Sequence, residues 1–180
     1  MSSPLRRLLA RLAGTAALPA GFGGELASDE QVLATAEGAE GALVATHLGL
    51  WLPDAGGSRR VGWHLVSKAT WEDGLLVVVE ADEAGSAGGA VLLRDRPAQR
   101  FRLSKPGKLP ETVHARVTSS IRSSHHRDLP AGGAWFVQRK VPGRDGVVLQ
   151  VRPERGADEA ALVEFAREVE QRMPGGAEPG

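Results

Sequence analysis

Arg59–Asp82 reads RRVGWHLVSKATWEDGLLVVVEAD, and it holds two of the chain's four tryptophans eight residues apart, in a sequence with four phenylalanines and no tyrosine. Val61, Trp63 and Leu65 alternate with Gly62, His64 and Val66, which predicts a half-buried strand. Glu72-Asp73-Gly74 is a hairpin signal, and LLVVVEA after it is a strongly β-branched strand. Burying one indole removes about 150–250 Å² from water, worth several kcal/mol at roughly 25 cal/mol per Å². Trp63 is therefore read as a core anchor and Trp71 as packing across the hairpin. A ligand platform is the competing reading of the pair.

Working outward, the neighbouring segments have the same character. QVLATAE (31–37) is a short apolar run, and GALVATHLGLWLP (41–53) alternates with period two, with Gly49 as a bend or hairpin between two strands. PDAGGS and EAGSAGG read as turns, AVLLR as a strand pairing back, and QRFRL as another. That makes about seven short strands before the first helix. LPETVHARVTSSIRSS then carries Val113, Val117 and Ile121 at i, i+4 and i+8, with Pro110 and Glu111 suited to its first turn. Arg122, His125, His126 and Arg127 suit its C-terminal dipole end. Its narrow apolar stripe predicts a cap on the open end of a small barrel.

Beyond DLPAGGA, the segments WFVQRKV and GVVLQVR joined by PGRDG predict a hairpin, with Trp135 and Val137 on one face and Val147, Leu149 and Val151 on a face of the second strand. Asp158 caps EAALVEFAREVEQRM, whose Leu162, Phe165, Ala166, Val169 and Met173 form one stripe. At the other end Leu5, Leu8, Leu9 and Leu12 fall at i, i+3, i+4 and i+7, with Arg6, Arg7 and Arg11 on the opposite side. They predict a short basic amphipathic helix that needs a surface to lie on: this protein, a partner or an anionic membrane.

Seven antiparallel strands followed by one closing helix resembles the pleckstrin-homology-like (PH-like) domains of bacteria, actinobacteria in particular. VLATAEGAEGALVATHLGLWLP, RRVGWHLVSKATW with GLLVVVEA, and LPETVHARVTSSI carry the resemblance, across roughly residues 29–124. It implies a seven-stranded antiparallel barrel capped by a helix; with the N-terminal amphipathic helix and the C-terminal β-hairpin plus helix read from the patterns above, the expected chain is α+β. The expected divisions are 1–24 for the basic helix and linker, 25–126 for the PH-like domain, 127–174 for the hairpin and C-terminal helix, and 175–180 for a disordered tail. Members that bind phosphoinositides concentrate cations at the first hairpin. Here that loop, TAEGAEGA, is acidic, and only Arg59 and Arg60 lie near it in a later loop, so no lipid-binding residue carries over.

Composition narrows the function classes. Without cysteine the chain has no disulfide framework and no Cys-ligated metal site, a usage that fits a reducing cytoplasm. No apolar run approaches the roughly 20 residues that cross a bilayer, and Arg11 interrupts the apolar start in a way a signal peptide would not. Net charge is zero but unevenly spread. Arg94–Arg127 holds nine Arg/Lys against two acids, and Glu72–Glu83 holds five acids and no base. Arg94, Arg96, Arg100, Arg102, Lys105 and Lys108 form the best candidate surface for an anion or a partner, with Arg100 and Arg102 opposite the inward Phe101 and Leu103. Their other reading is a solvated outer face. Nucleic-acid binding would call for aromatics interleaved with these charges, and only Phe101 is near.

The familiar catalytic patterns are missing: G-x-S-x-G, the phosphate loop ending in G-K-[ST], and H-E-x-x-H. His125, His126 and Asp128 could ligate a metal, but adjacent histidines on a helix diverge by about 100°, so a solvated helix terminus is the preferred reading. The expectation is a non-catalytic module, without metal or cofactor, that mediates protein–protein contact in the cytoplasm. A peripheral membrane adaptor acting through the N-terminal helix is the second reading. A small-ligand-binding or hydrolytic domain is the third, for want of a nucleophile–base pair.

Overall fold

The Asp73-Gly74 hairpin forms as its residues require. Asp73 and Gly74 have φ of 50° and 78°, the left-handed pair that a two-residue turn needs to match strand twist. From this turn Val66–Glu72 and Leu75–Ala87 run back antiparallel, starting at Glu72↔Leu75. A computed structural model of the chain describes residues 16–172. In chain order its strands are β1 (Val32–Gly38), β2 (Gly41–Thr46), β3 (Gly49–Asp54), β4 (Gly57–Gly62), β5 (Val66–Glu72) and β6 (Leu75–Ala87). Then come β7 (Ala90–Asp95), β8 (Gln99–Lys105), β9 (Ile121–Arg127), β10 (Ala134–Lys140) and β11 (Val147–Pro153). Two helices, α1 (Leu109–Ser120) and α2 (Glu159–Arg172), complete the described elements.

The chain is α+β, mostly a mixed sheet of eleven strands that does not close. This corrects the expected seven-stranded antiparallel barrel. Most of the expected turn EAGSAGG does not turn: β6 continues through Glu83–Ala87, absorbing a register irregularity between Glu83 and Gly85. The turn falls one step later, at Gly88-Gly89. The segment IRSSHHR leaves the helix at Ser120 and becomes β9, paired with β10 along its length. One pairing, β11 with β7, is parallel. Val61, Trp63 and Leu65 do not share a strand, because Trp63–Leu65 is a single 3₁₀ turn between β4 and β5.

By its contacts the chain forms two units: the chain up to Glu80 with Pro97–Ser119, and Ala81–Arg96 with the chain from Ser120. In the first, strand order is β4-β3-β2-β1-β8-β6-β5, every pairing antiparallel. Alternate residues of these strands meet in one core that includes Leu43, Leu50, Leu52, Val61, Trp63, Leu76, Val78 and Phe101. Leu109 and Val113 of α1 enter the same core and Val117 packs against it, as a helix stripe covering a curled sheet should. Ile121 has left the helix and is 40% exposed. The Trp63 indole is buried and donates to the Thr46 carbonyl at 2.9 Å. Trp71 lies on the core side of β5, opposite Leu76, yet stands at the sheet edge and is 40% exposed.

In the second unit α2 lies over the sheet as its stripe predicts. Leu162 and Ala166 are buried with Ala90, Leu92, Phe136, Leu149 and Val151, while Phe165 and Val169 pack beside them. Asp158 caps the helix, its Oδ1 accepting the Ala160 N–H at 2.9 Å. Of the expected hairpin faces, Val137, Leu149 and Val151 are buried, whereas Trp135 and Val147 are exposed. The expected helix at Leu5–Leu12, Met173 and the tail 175–180 lie outside the described residues.

Candidate binding face

Period two divides β6 sharply. Leu76, Val78 and Glu80 are buried, while Leu75, Val77 and Val79 point to the other face and are half-buried. The register builds that outer face row by row. Thr70, Val77 and Arg100 stand opposite one another across β5, β6 and β8, as do Glu72, Leu75 and Arg102, and Lys68 faces Val79. An aliphatic row on the middle strand is thus flanked by Arg100 and Arg102 on one side and Lys68 on the other. All three cations are exposed, and none forms an ion pair among the described residues. Side chains two apart on a strand stand about 7 Å apart, and neighbouring strands about 5 Å apart, so the charges frame the row closely.

The six cations marked in the sequence separate here. Arg94 and Arg96 belong to the second unit, where Arg94 meets Glu159 at 3.3 Å and Arg96 meets Asp82 at 2.7 Å. Lys105, in the first unit, meets Glu37 at 3.0 Å. Arg100, Arg102 and Lys108 are exposed, while Phe101 and Leu103, which alternate with the two arginines, turn into the core. Lys68, Leu75, Val77 and Val79 were not marked. The signal for the three aliphatic residues was the uninterrupted run LLVVV: an antiparallel strand with one wet face alternates, whereas a continuous apolar run belongs to a strand covered on both faces.

Arg59 and Arg60, the pair nearest the acidic first hairpin, are engaged by buried carboxylates. Being adjacent on β4, they point to opposite faces. Arg59 forms a two-pronged contact with Glu80, at 2.9 and 2.5 Å, and Gln99 Nε2 donates to the same carboxylate at 2.7 Å. Arg60 reaches Glu30 at 2.5 Å and lies over the Trp51 ring. Glu30 also accepts the Thr46 hydroxyl at 2.6 Å, the Trp51 indole N–H at 2.8 Å and the Ala27 amide at 3.1 Å. Burial alone would raise its pKa. The hydroxyl, indole and amide donors, with Arg60, outweigh that and hold the carboxyl below its ordinary value. The Glu80–Arg59 pair joins β6 to β4 by side chains where no backbone ladder runs between them.

Two further constellations lie in the second unit. Arg139 is almost wholly buried, its Nε donating to Ser120 Oγ at 3.0 Å; burial, and then the nearby Arg152 charge, bring its pKa down to about 10. Arg152 lines a cleft of about 440 Å³ with Arg94, Arg155, Asp95, Glu154 and Glu159, an even mixture of both signs. His125 and His126, expected at a helix end, lie on β9, where neighbours point to opposite faces. His126 Nε2 sits 2.9 Å from Glu154 and its ring lies edge-on to Trp135. Among the described residues no cluster of three His, Cys, Asp or Glu could hold a metal, and no helix is long and apolar enough to cross a membrane. No family model, curated protein or solved structure matches the chain.

Proposed function

We propose that the chain is a non-catalytic binding and assembly module of the PH-like kind, working in the bacterial cytoplasm and engaging a protein partner through the outer face of β5, β6 and β8. The observation that carries this reading is the aliphatic row Leu75, Val77, Val79 bordered by three cations that form no ion pair among the described residues. The order β4-β3-β2-β1-β8-β6-β5 with α1 on the core supports the PH-like resemblance. The non-catalytic reading is supported by how the buried carboxylates are used: Glu30 accepts from four structural donors and Glu80 is forked by Arg59 and held by Gln99, so both are engaged in the fold. A protein partner is favoured over nucleic acid because the face offers aliphatic side chains where base stacking needs rings.

Full-length protein and an Arg100→Glu/Arg102→Glu variant, each tagged in the native cell, provide the test. Partners recovered with the parent are expected to be lost with the variant and kept with an Arg144→Glu control, a charge change on the exposed β10–β11 turn. Unchanged partners in the face variant would refute the assignment of the face. Flotation with anionic vesicles that the face variant abolishes would move the reading to a membrane.

A further inference from the structure

Resting on the binding-face reading, we infer that the segment occupying it is an acidic amphipathic helix of the partner protein. Three features of the face lead there. First, β6 is hydrogen-bonded on both sides, to β5 and to β8, so no strand can be added at the aliphatic row. Whatever covers that row contributes side chains only. An extended segment laid on it would bury backbone N–H and C=O groups without partners, whereas a helix satisfies its own.

Second, the dimensions fit. The row is one strand wide with a charged strand on each side, so the cations stand roughly 10 Å apart across it, about the diameter of a helix with its side chains. Leu75 to Val79 spans about 14 Å along the strand, which two and a half helical turns cover at about 5.4 Å each. Apolar residues at i, i+4 and i+7 would meet the row, and carboxylates on both flanks would meet Arg100 and Arg102 on one side and Lys68 on the other. Arginine favours this arrangement, since its guanidinium forks onto a carboxylate through two parallel hydrogen bonds.

Third, charge selects the occupant. The chain's own first 24 residues carry Arg6, Arg7 and Arg11 and no acid, so that segment would be repelled. Among the described residues of β5, β6 and β8, Glu72, level with Leu75 on β5, is the one carboxylate on this face, and it leaves the face net positive.

The probe is an 18-residue peptide with leucines on one stripe and glutamates on both flanks. Its two companions are the same peptide with lysine for glutamate, and the glutamate peptide broken by a central proline. Each is titrated into full-length ¹⁵N-labelled protein at low and high salt. The glutamate helix is expected to shift amides of β5, β6 and β8, to weaken as salt rises, and to bind roughly tenfold or more weakly to the Arg100→Glu/Arg102→Glu variant. The lysine peptide should not bind. Equal binding by the proline-broken peptide overturns the helix while leaving the binding face standing. Absence of binding by the glutamate helix at millimolar concentration, or shifts confined to other strands, overturns the proposal. If the native partners depend on Arg100 and Arg102 but the segment they lay on Val77 is basic or extended, the partner class is wrong and the face is right.

Discussion

Two pairs of arginines in the first unit have opposite fates, and one residue of spacing separates them. Arg59 and Arg60 are neighbours on β4, so they project to opposite faces, and each reaches a buried glutamate. Arg100 and Arg102 are two apart on β8, so they share a face, and neither pairs with a carboxylate among the described residues. The first pair ties strands of the fold together, and the second is the one we propose meets a partner. Cation density along the sequence cannot separate these cases; the period of the strand and the placement of the acids do.

The comparison breaks most visibly at Glu30. Replacing it by alanine leaves the Thr46 hydroxyl, the Trp51 indole, the Ala27 amide and the Arg60 guanidinium without their shared acceptor. The expected loss is about 3 kcal/mol, at the low end for a broken buried pair because Arg60 keeps access to water. Urea unfolding of Glu30→Ala at neutral pH measures it. A loss below about 0.5 kcal/mol, the range of ordinary surface changes, would mean that Arg60 is as uncommitted as Arg100. Glu80→Ala should come next, at about 2 kcal/mol, since Arg59 retains Asp54 at 3.5 Å.

Acid sharpens the same contrast. The Glu30 carboxyl titrates below its ordinary value in the folded chain. Its contribution is therefore complete above the unfolded pKa, roughly 4.3, and is lost as pH falls through the lower folded value. Stability measured between neutral pH and pH of about 3 should fall with a proton uptake that Glu30→Gln removes. If the parent and Glu30→Gln curves run parallel across that window, the carboxyl is not held as described.

Much of the first unit could be read from the sequence, because its strands are short and alternate cleanly. The Asp73-Gly74 turn, the break at Gly49, the inward Phe101 and Leu103 and the stripe Val113–Val117 all follow from local chemistry. The errors arose where local preference was weak and a distant partner decided. Glu83–Ala87 looks like a turn, since Gly85 and small polar residues crowd it, yet β7 provides a ladder and the strand persists. Ile121–Arg127 continues a helical pattern by one residue, yet β10 offers an open edge and takes it as β9. The change of unit within β6, at Glu80, leaves no mark in LLVVVEADEAGSA. Of the candidate face, Arg100 and Arg102 were legible by alternation alone. The row was signalled by the run LLVVV, whereas Lys68 and the flanking of the row by cations needed the register across three strands.

The smallest expected effect is also the most discriminating. Reversing Arg100 and Arg102 to glutamate removes no ion pair among the described residues and uncovers no core atom, since Phe101 and Leu103 face the other way. Like charges about 7 Å apart on one face repel weakly in water, and their replacement by two like charges of the other sign leaves that term unchanged. Stability should therefore stay within about 0.5 kcal/mol of the parent, while binding through the face weakens roughly tenfold or more. A matched reversal at Arg59 and Arg60 should behave the other way, unfolding the chain by setting glutamates against Glu80 and Glu30. Thermal unfolding of both double variants decides it. If the β8 variant is destabilised as much as the β4 variant, Arg100 and Arg102 belong to the fold's own pairing and the face has no charge to offer a partner.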